Sequence, residues 1–188
     1  MRSCSRVWAI GNLRLLETRL LAFFCSTRCP GNVILQIYDL VRALRDTSVP
    51  VIGGFHSPME KECLDLLLRG TQPIVVCPAR SIEWLRLPGA WRRSIDEGRL
   101  LMLSSFDAEH RRPTASLAEQ RNRLVVALAD VIVIAHASPG SKIDRLCAEM
   151  MTSGKRVYTL DLPENASLMQ QGVKGYTVPD LLDCLLHY

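Results

Sequence analysis

The sequence predicts an α/β fold, an open parallel sheet with helices on both faces. Three observations carry the prediction. Short runs rich in β-branched and aromatic residues alternate with longer segments of helical period, the pattern that β-α-β units with right-handed crossovers produce. Those runs are continuously apolar rather than alternating, as strands buried on both faces require. The junctions that follow them are rich in glycine, serine and proline, the residues that turn one element into the next.

Taken in order, residues 1–19 read as an N-terminal extension leading into the first strand, and residues 1–188 as a single domain with a sizeable core. Strands are expected at 20–25 (LLAFFC), 49–52 (VPVI), 73–77 (PIVVC), 100–103 (LLML), 131–135 (VIVIA) and 156–160 (RVYTL). Residues 31–46 set Ile34, Ile37, Tyr38, Val41 and Leu44 on one helical stripe, and residues 58–69 do the same with Met59, Cys63, Leu66 and Leu67. Further helices are expected at 115–129 and at 141–153, the latter stopped by Gly154. Residues 178–186 read as a last short helix on the sheet. Arg121, Asn122 and Arg123 are expected to open the helix that precedes the strand at 131–135.

Composition narrows the function. No apolar run approaches the ~20 residues of a membrane helix, and the N-terminus scatters arginines where a signal peptide would be unbroken. A cytoplasmic protein that engages no membrane is expected. The seven cysteines are odd in number and diffuse in spacing, unlike a disulfide framework. Cys25 and Cys29 form the one close pair, with no second pair or histidine cluster to complete a zinc site, so neither metal nor cofactor is expected. The net charge is +4, and 19 of the 23 basic residues are arginine, the side chain best suited to bidentate phosphate contacts.

In open parallel sheets, ligands bind beyond the carboxyl ends of the strands, where loops enter helix N-termini. Four loops occupy that edge. Ser26, Thr27 and Arg28 follow the first strand; Gly53, Gly54 and Ser57 follow the second. Arg80 follows the third, and Ser138, Gly140, Ser141 and Lys142 follow the fifth. Glycine admits a ligand close to the backbone, serine and threonine donate hydrogen bonds, and arginine or lysine neutralises charge. The set describes a phosphate-binding rim. No residue among them is assigned a catalytic role.

Four segments in order, "GNLRLLETRLLAFFCSTRCPG", "VIGGFHSPMEKECLDLLLRGTQPIVVCPAR", "IDEGRLLMLSSF" and "RNRLVVALADVIVIAHASPGSK", resemble the core blocks of the DprA/Smf DNA-processing family. That family belongs to the wider SLOG group of Rossmann-like domains. The likeness runs from Gly11 to Gly175, and the Arg-Asn-Arg block is its most specific part. It implies a Rossmann-like sheet and non-enzymatic binding of single-stranded DNA or a nucleotide. It implies a phosphate contact at Arg28, with Gly53, Gly54, Arg121, Asn122, Arg123, Ser138, Gly140 and Ser141 at matching positions. The sequence departs from the family at "FHSPMEKE", where Gly-Ile-Asp is usual, and at Ser104-Ser105, where Ser-Glu is usual. It shows neither a helix-hairpin domain in front nor a winged helix behind, so a stand-alone core is expected. A recombinase partner is then the least supported implication.

Arg80, Arg92, Arg93, Arg121 and Arg123 extend the expected nucleic-acid track. Arg121 and Arg123 could equally bridge neighbouring loops and carboxylates, and Asn122 reads as a buried hydrogen-bonding residue. Trp84, Trp91 and Phe106 interleave with the arginines of residues 80–93, a mixture that stacks bases or simply packs a helix. His56 and His136 are placed on rim loops, and Glu60 on the first turn of a helix, where a carboxylate meets the positive dipole end. The alternative function is a nucleotide phosphoribohydrolase or a nucleotide sensor of the same group. It would have to use Asp144 in "SPGSKIDR", where that branch carries a glutamate. Open sheet edges make a homodimer a further partner to consider.

Overall fold

The apolar runs become the centre of one eight-stranded sheet in a computed structural model that describes residues 6–187. Cys4 lies outside the described residues. The strands are β1 (Trp8–Gly11), β2 (Leu21–Cys25), β3 (Val51–Gly53), β4 (Ile74–Val76), β5 (Leu100–Ser104), β6 (Val131–His136), β7 (Arg156–Leu160) and β8 (Lys174–Tyr176). Their spatial order is β1-β5-β4-β3-β2-β6-β7-β8. Pairing is parallel throughout except between β1 and β5.

Seven helices cover the two faces: α1 (Gly31–Leu44), α2 (Pro58–Leu67), α3 (Gly89–Asp96), α4 (Ala115–Leu128), α5 (Lys142–Thr152), α6 (Ala166–Gln170) and α7 (Val178–Leu186). Because successive strand residues point to opposite faces, β2 sends Phe23 to one core and Phe24 to the other. Phe23 packs with Ile37 and Val41 of α1, Cys63 of α2 and Leu181 of α7. Phe24 packs with Ile134, Val125 of α4, and Cys147 and Met150 of α5. Burying each such aliphatic or aromatic side chain contributes roughly 1.5–3 kcal/mol, so both faces of the sheet drive folding.

Serine and threonine caps set where the helices begin. Ser57, Thr114, Ser141 and Thr177 each accept a hydrogen bond from the third residue of the helix they precede, worth about 1 kcal/mol apiece. At Ser57 the cap is reciprocal, with Glu60 reaching back to the Ser57 N–H.

The structure departs from the expectations in four places. Residues 8–17 are not a simple extension: they supply β1 and a 3₁₀ turn at Leu13–Glu17. β8, α3 and α6 were not foreseen. Arg121, Asn122 and Arg123 do not open a helix, because Thr114 caps α4 seven residues earlier and the block ends its second turn. His136 is no rim residue: it is the last residue of β6, buried, with Nδ1 3.0 Å from Oδ1 of Asn165. His56, by contrast, is exposed.

Candidate functional site

β2 sits between β3 and β6, so the strand order reverses its direction of travel at the β2–β6 seam. Chains leave the two strands toward opposite sides and open a crevice beyond their carboxyl ends. A cleft of about 340 Å³ occupies this position. Ser26, Thr27 and Arg28 enter it from β2, His56, Ser57 and Glu60 from the start of α2, and Ser138, Ser141 and Lys142 from the start of α5. Arg121 and Asn122 of α4 complete the wall. Two helices thus aim their N-termini at one space, and the first-turn N–H groups with the helix dipole favour an anion there.

Two serines fix the crossing of the loops. Ser26 Oγ lies 3.2 Å from Ser141 Oγ and accepts from the Ser138 N–H at 3.2 Å. The Ser26 N–H donates to the His136 carbonyl at 2.9 Å. Gly140 takes a φ of +72°, a conformation glycine adopts without steric penalty, and lets the loop turn into α5. Phe55 holds φ at +46° with its side chain buried; this strained turn redirects the chain from β3 into α2.

Glu60 and Arg121 form the floor. Both are buried, at 5% and 4% exposure, a depth that charged groups tolerate only when well bonded. Glu60 Oε1 accepts from the Cys25 N–H at 3.0 Å, and Oε2 from the His56 and Ser57 N–H groups at 2.8 and 3.2 Å. Arg121 Nη1 donates to the Cys77 carbonyl at 3.0 Å, and Nε donates to Asn122 Oδ1 at 2.7 Å. Burial pulls the Arg121 pKa down from its ordinary value while the Glu60 carboxylate pushes it back up; an arginine so placed keeps its charge. The guanidinium lies against Gly54, where a Cβ would overlap it. Gly54 is therefore the space that admits Arg121.

Arg28 is the contrast. It is exposed and lines the cleft, and it forms no ion pair among the described residues. Lys142 is held by Glu119 at 2.8 Å, and Arg123 by Glu149 at 3.1 Å. These two pairs lie in a neighbouring groove between α4 and α5, about 240 Å³ and also lined by Arg145. Asn122 and Lys142 border both hollows. Gly53, Gly54 and Gly140 shape the backbone and do not line the cleft.

Arg80 lies further along the same edge, beyond β4, in a hollow with Ser81, Trp84, Leu85 and Arg111. Arg92 and Arg93 are exposed on α3, away from the cleft. Trp84 is 76% exposed, whereas Phe106 is buried and Trp91 packs against the core. Arg111 and Asn165 were not anticipated from the sequence, and Cys29 was considered only as a metal ligand. Asn165 donates to the carbonyls of Ala135 and Leu160, both at 3.0 Å, and ties the ends of β6 and β7. A hydrogen bond from the Cys25 thiol lowers the Cys29 pKa, opposed by partial burial. The same bond and burial push the Cys25 thiol up. The Cys25-x-x-x-Cys29 spacing was the available signal for that contact.

No protein-family model matches the sequence, and neither does any curated protein. Solved structures do. DNA processing protein A from Streptococcus pneumoniae superposes with a TM-score of 0.76 at 19% identity, over 94% of this chain and 65% of that one. The DNA processing protein A of Helicobacter pylori, described for its single-stranded DNA binding mode, gives 0.79 at 20% identity over 100% and 90%. This chain spans 65% of the length of the S. pneumoniae protein. The molybdenum cofactor carrier protein of Chlamydomonas reinhardtii is more distant, with a TM-score of 0.60 at 13% identity over 91% and 100%. The chain has a Rossmann-like fold similar to that of DNA processing protein A. No helix among the described residues is long and apolar enough to cross a membrane.

Proposed function

We propose that this protein binds single-stranded DNA without converting it, seating a backbone phosphate in the cleft at the β2–β6 seam. One observation carries the reading: Arg28 stands exposed, without an ion pair among the described residues, at a crevice into which α2 and α5 point their N-termini. Ser26, Thr27, Ser138 and Ser141 supply hydroxyl and backbone donors around it, and buried Arg121, balanced by Glu60, forms the floor behind. The fold shared with a protein described for single-stranded DNA binding supports the same reading.

Binding of a labelled oligothymidylate is measured at two salt concentrations, for the native protein and for Arg28→Ala. Affinity falls as salt rises because neutralised phosphates release counterions. Losing the Arg28 contact weakens binding about tenfold, the size of one charge-assisted hydrogen bond. It also flattens the log–log salt slope by ~0.7. An absence of binding to any oligonucleotide at low salt would overturn the proposal.

The phosphoribohydrolase alternative has less support. Asp144, the carboxylate it would use, accepts hydrogen bonds from the Gly140 N–H at 2.8 Å and from Gln171 Nε2 at 2.7 Å. Glu60 is engaged by three backbone N–H groups. Both act as structural acceptors, with few lone pairs left for a ribose. Release of free base from nucleoside monophosphates, abolished by Asp144→Ala, would reverse the ranking.

A further inference from the structure

We infer that Trp84, flanked by Arg80 and Arg111, is a stacking platform for an unpaired base of the same strand whose phosphate occupies the β2–β6 cleft. The inference rests on the binding reading above and goes further: it makes the ligand a polynucleotide rather than a single nucleotide.

Trp84 is 76% exposed, more than any other large apolar side chain among the described residues. Trp8 and Trp91, by contrast, pack against the core. The indole nevertheless sits on a fixed frame. Ile82, two residues earlier, is buried at 1%. The Ser81 N–H donates to the His110 carbonyl at 2.8 Å, and Ser104 Oγ donates to the Arg80 carbonyl at 2.8 Å. The Leu85 N–H closes a turn on the Ile82 carbonyl at 3.2 Å. An aromatic ring held in the open loses apolar burial, whereas a nucleobase laid on its face would restore it. Base–aromatic stacking tolerates any base, since every base has a π-face.

The surroundings suit a polyanion. Trp84, Arg80 and Arg111 line one hollow of about 490 Å³, and neither arginine forms an ion pair among the described residues. Glu83, Asp107 and Glu109 are the nearby carboxylates in sequence, Asp107 being held by His110 at 2.8 Å, against Arg80, Arg86, Arg111 and Arg112. Position adds the second argument. The hollow lies beyond β4 and β5, on the edge that carries the cleft, and β4 is two strands from β2. At the usual strand spacing this is a step of ~10 Å, or about three stacked nucleotides at 3.4 Å each. A nucleoside monophosphate holds its base centre closer to its phosphate than this; a short single strand spans both places.

The test uses the full chain, an oligothymidylate of about eight residues, the same backbone without bases, and a dinucleotide. Native protein, Arg28→Ala and Trp84→Ala are compared. Trp84→Ala is expected to bind the octamer about tenfold more weakly and to bind the abasic octamer and the dinucleotide as the native protein does. The octamer also quenches tryptophan fluorescence in the native protein and not in Trp84→Ala. If Arg28→Ala weakens octamer binding and Trp84→Ala does not, the stacking site is wrong and the phosphate cleft stands. If Trp84→Ala loses affinity equally with and without bases, stacking is again excluded. A native protein that binds no octamer at low salt overturns both readings together.

Discussion

Two hollows of similar size open at opposite edges of the sheet, and they are chemically unlike. The carboxyl-edge cleft, about 340 Å³, gathers Ser26, Arg28, Ser57, Arg121, Ser141 and Lys142. The amino-edge hollow, about 280 Å³, is walled by Leu20, Leu21, Val49, Pro50, Pro73, Val131 and Leu185, with Arg19 and Asp130 at hand. Its loops are spent on one another. Asp130 Oδ2 accepts from the Leu20 N–H at 2.9 Å, and the N–H groups of Leu21 and Val51 donate to the carbonyls of Pro50 and Pro73. The difference follows from direction. In a parallel sheet each crossover helix runs back against the strands, so helix N-termini collect at one edge and C-termini at the other. Volume does not distinguish the two edges; helix polarity and the exposed Arg28 do.

The sharpest test of this contrast is Glu60→Ala. It would strand two buried N–H groups and a third that is half-buried, and leave Arg121 without its nearby counter-charge. We expect a loss of about 3 kcal/mol in urea unfolding, at ~1–3 kcal/mol per unsatisfied buried group. Next comes Arg28→Ala, with its tenfold loss in oligonucleotide affinity and, because the side chain is exposed, an unchanged melting temperature. At the other edge, Asp130→Ala removes one partly buried bond and should cost about 1 kcal/mol of stability while leaving oligonucleotide affinity as it was. If it weakens binding as much as Arg28→Ala does, the asymmetry between the edges is false. The smallest effect concerns Cys29. Its pKa is lowered from the ordinary thiol value, so its thiolate persists to lower pH and fades only as pH falls through that lowered value. Cys77 and Cys147 are pushed up by burial to about 12 and about 11, and burial raises Cys63 as well. Peptide mapping after brief iodoacetamide treatment near pH 8 should therefore find Cys29 labelled ahead of Cys25, Cys63, Cys77 and Cys147.

Much of the fold was legible because the six central strands are buried on both faces, and burial writes itself as an unbroken apolar run. β1 escaped because Trp8 and Ile10 alternate with exposed Ala9 and Gly11, a half-buried edge pattern only four residues long. β8 is three residues, Lys-Gly-Tyr, with no apolar run at all. The rim loops were legible because parallel strand direction follows from alternation, and the loops after the strands then share one edge. Arg121 was not legible in the same way. A lone arginine reads as surface charge, and its burial depends on room at Gly54 and an acceptor at Cys77, positions far away in sequence. His136 was misplaced by a single residue, since the strand runs one position past the last aliphatic side chain and an asparagine in another element, Asn165, receives it.

The brevity of β1 and β8 bears on how the molecule meets a second copy of itself. These are the outermost strands of the sheet, four and three residues long. A strand that short presents only a few ladder groups to a neighbour, and short edge strands are a common guard against unplanned pairing. Joining two sheets edge to edge would gain little at either end. A second copy that paired through either edge would gain at most three or four residues of ladder.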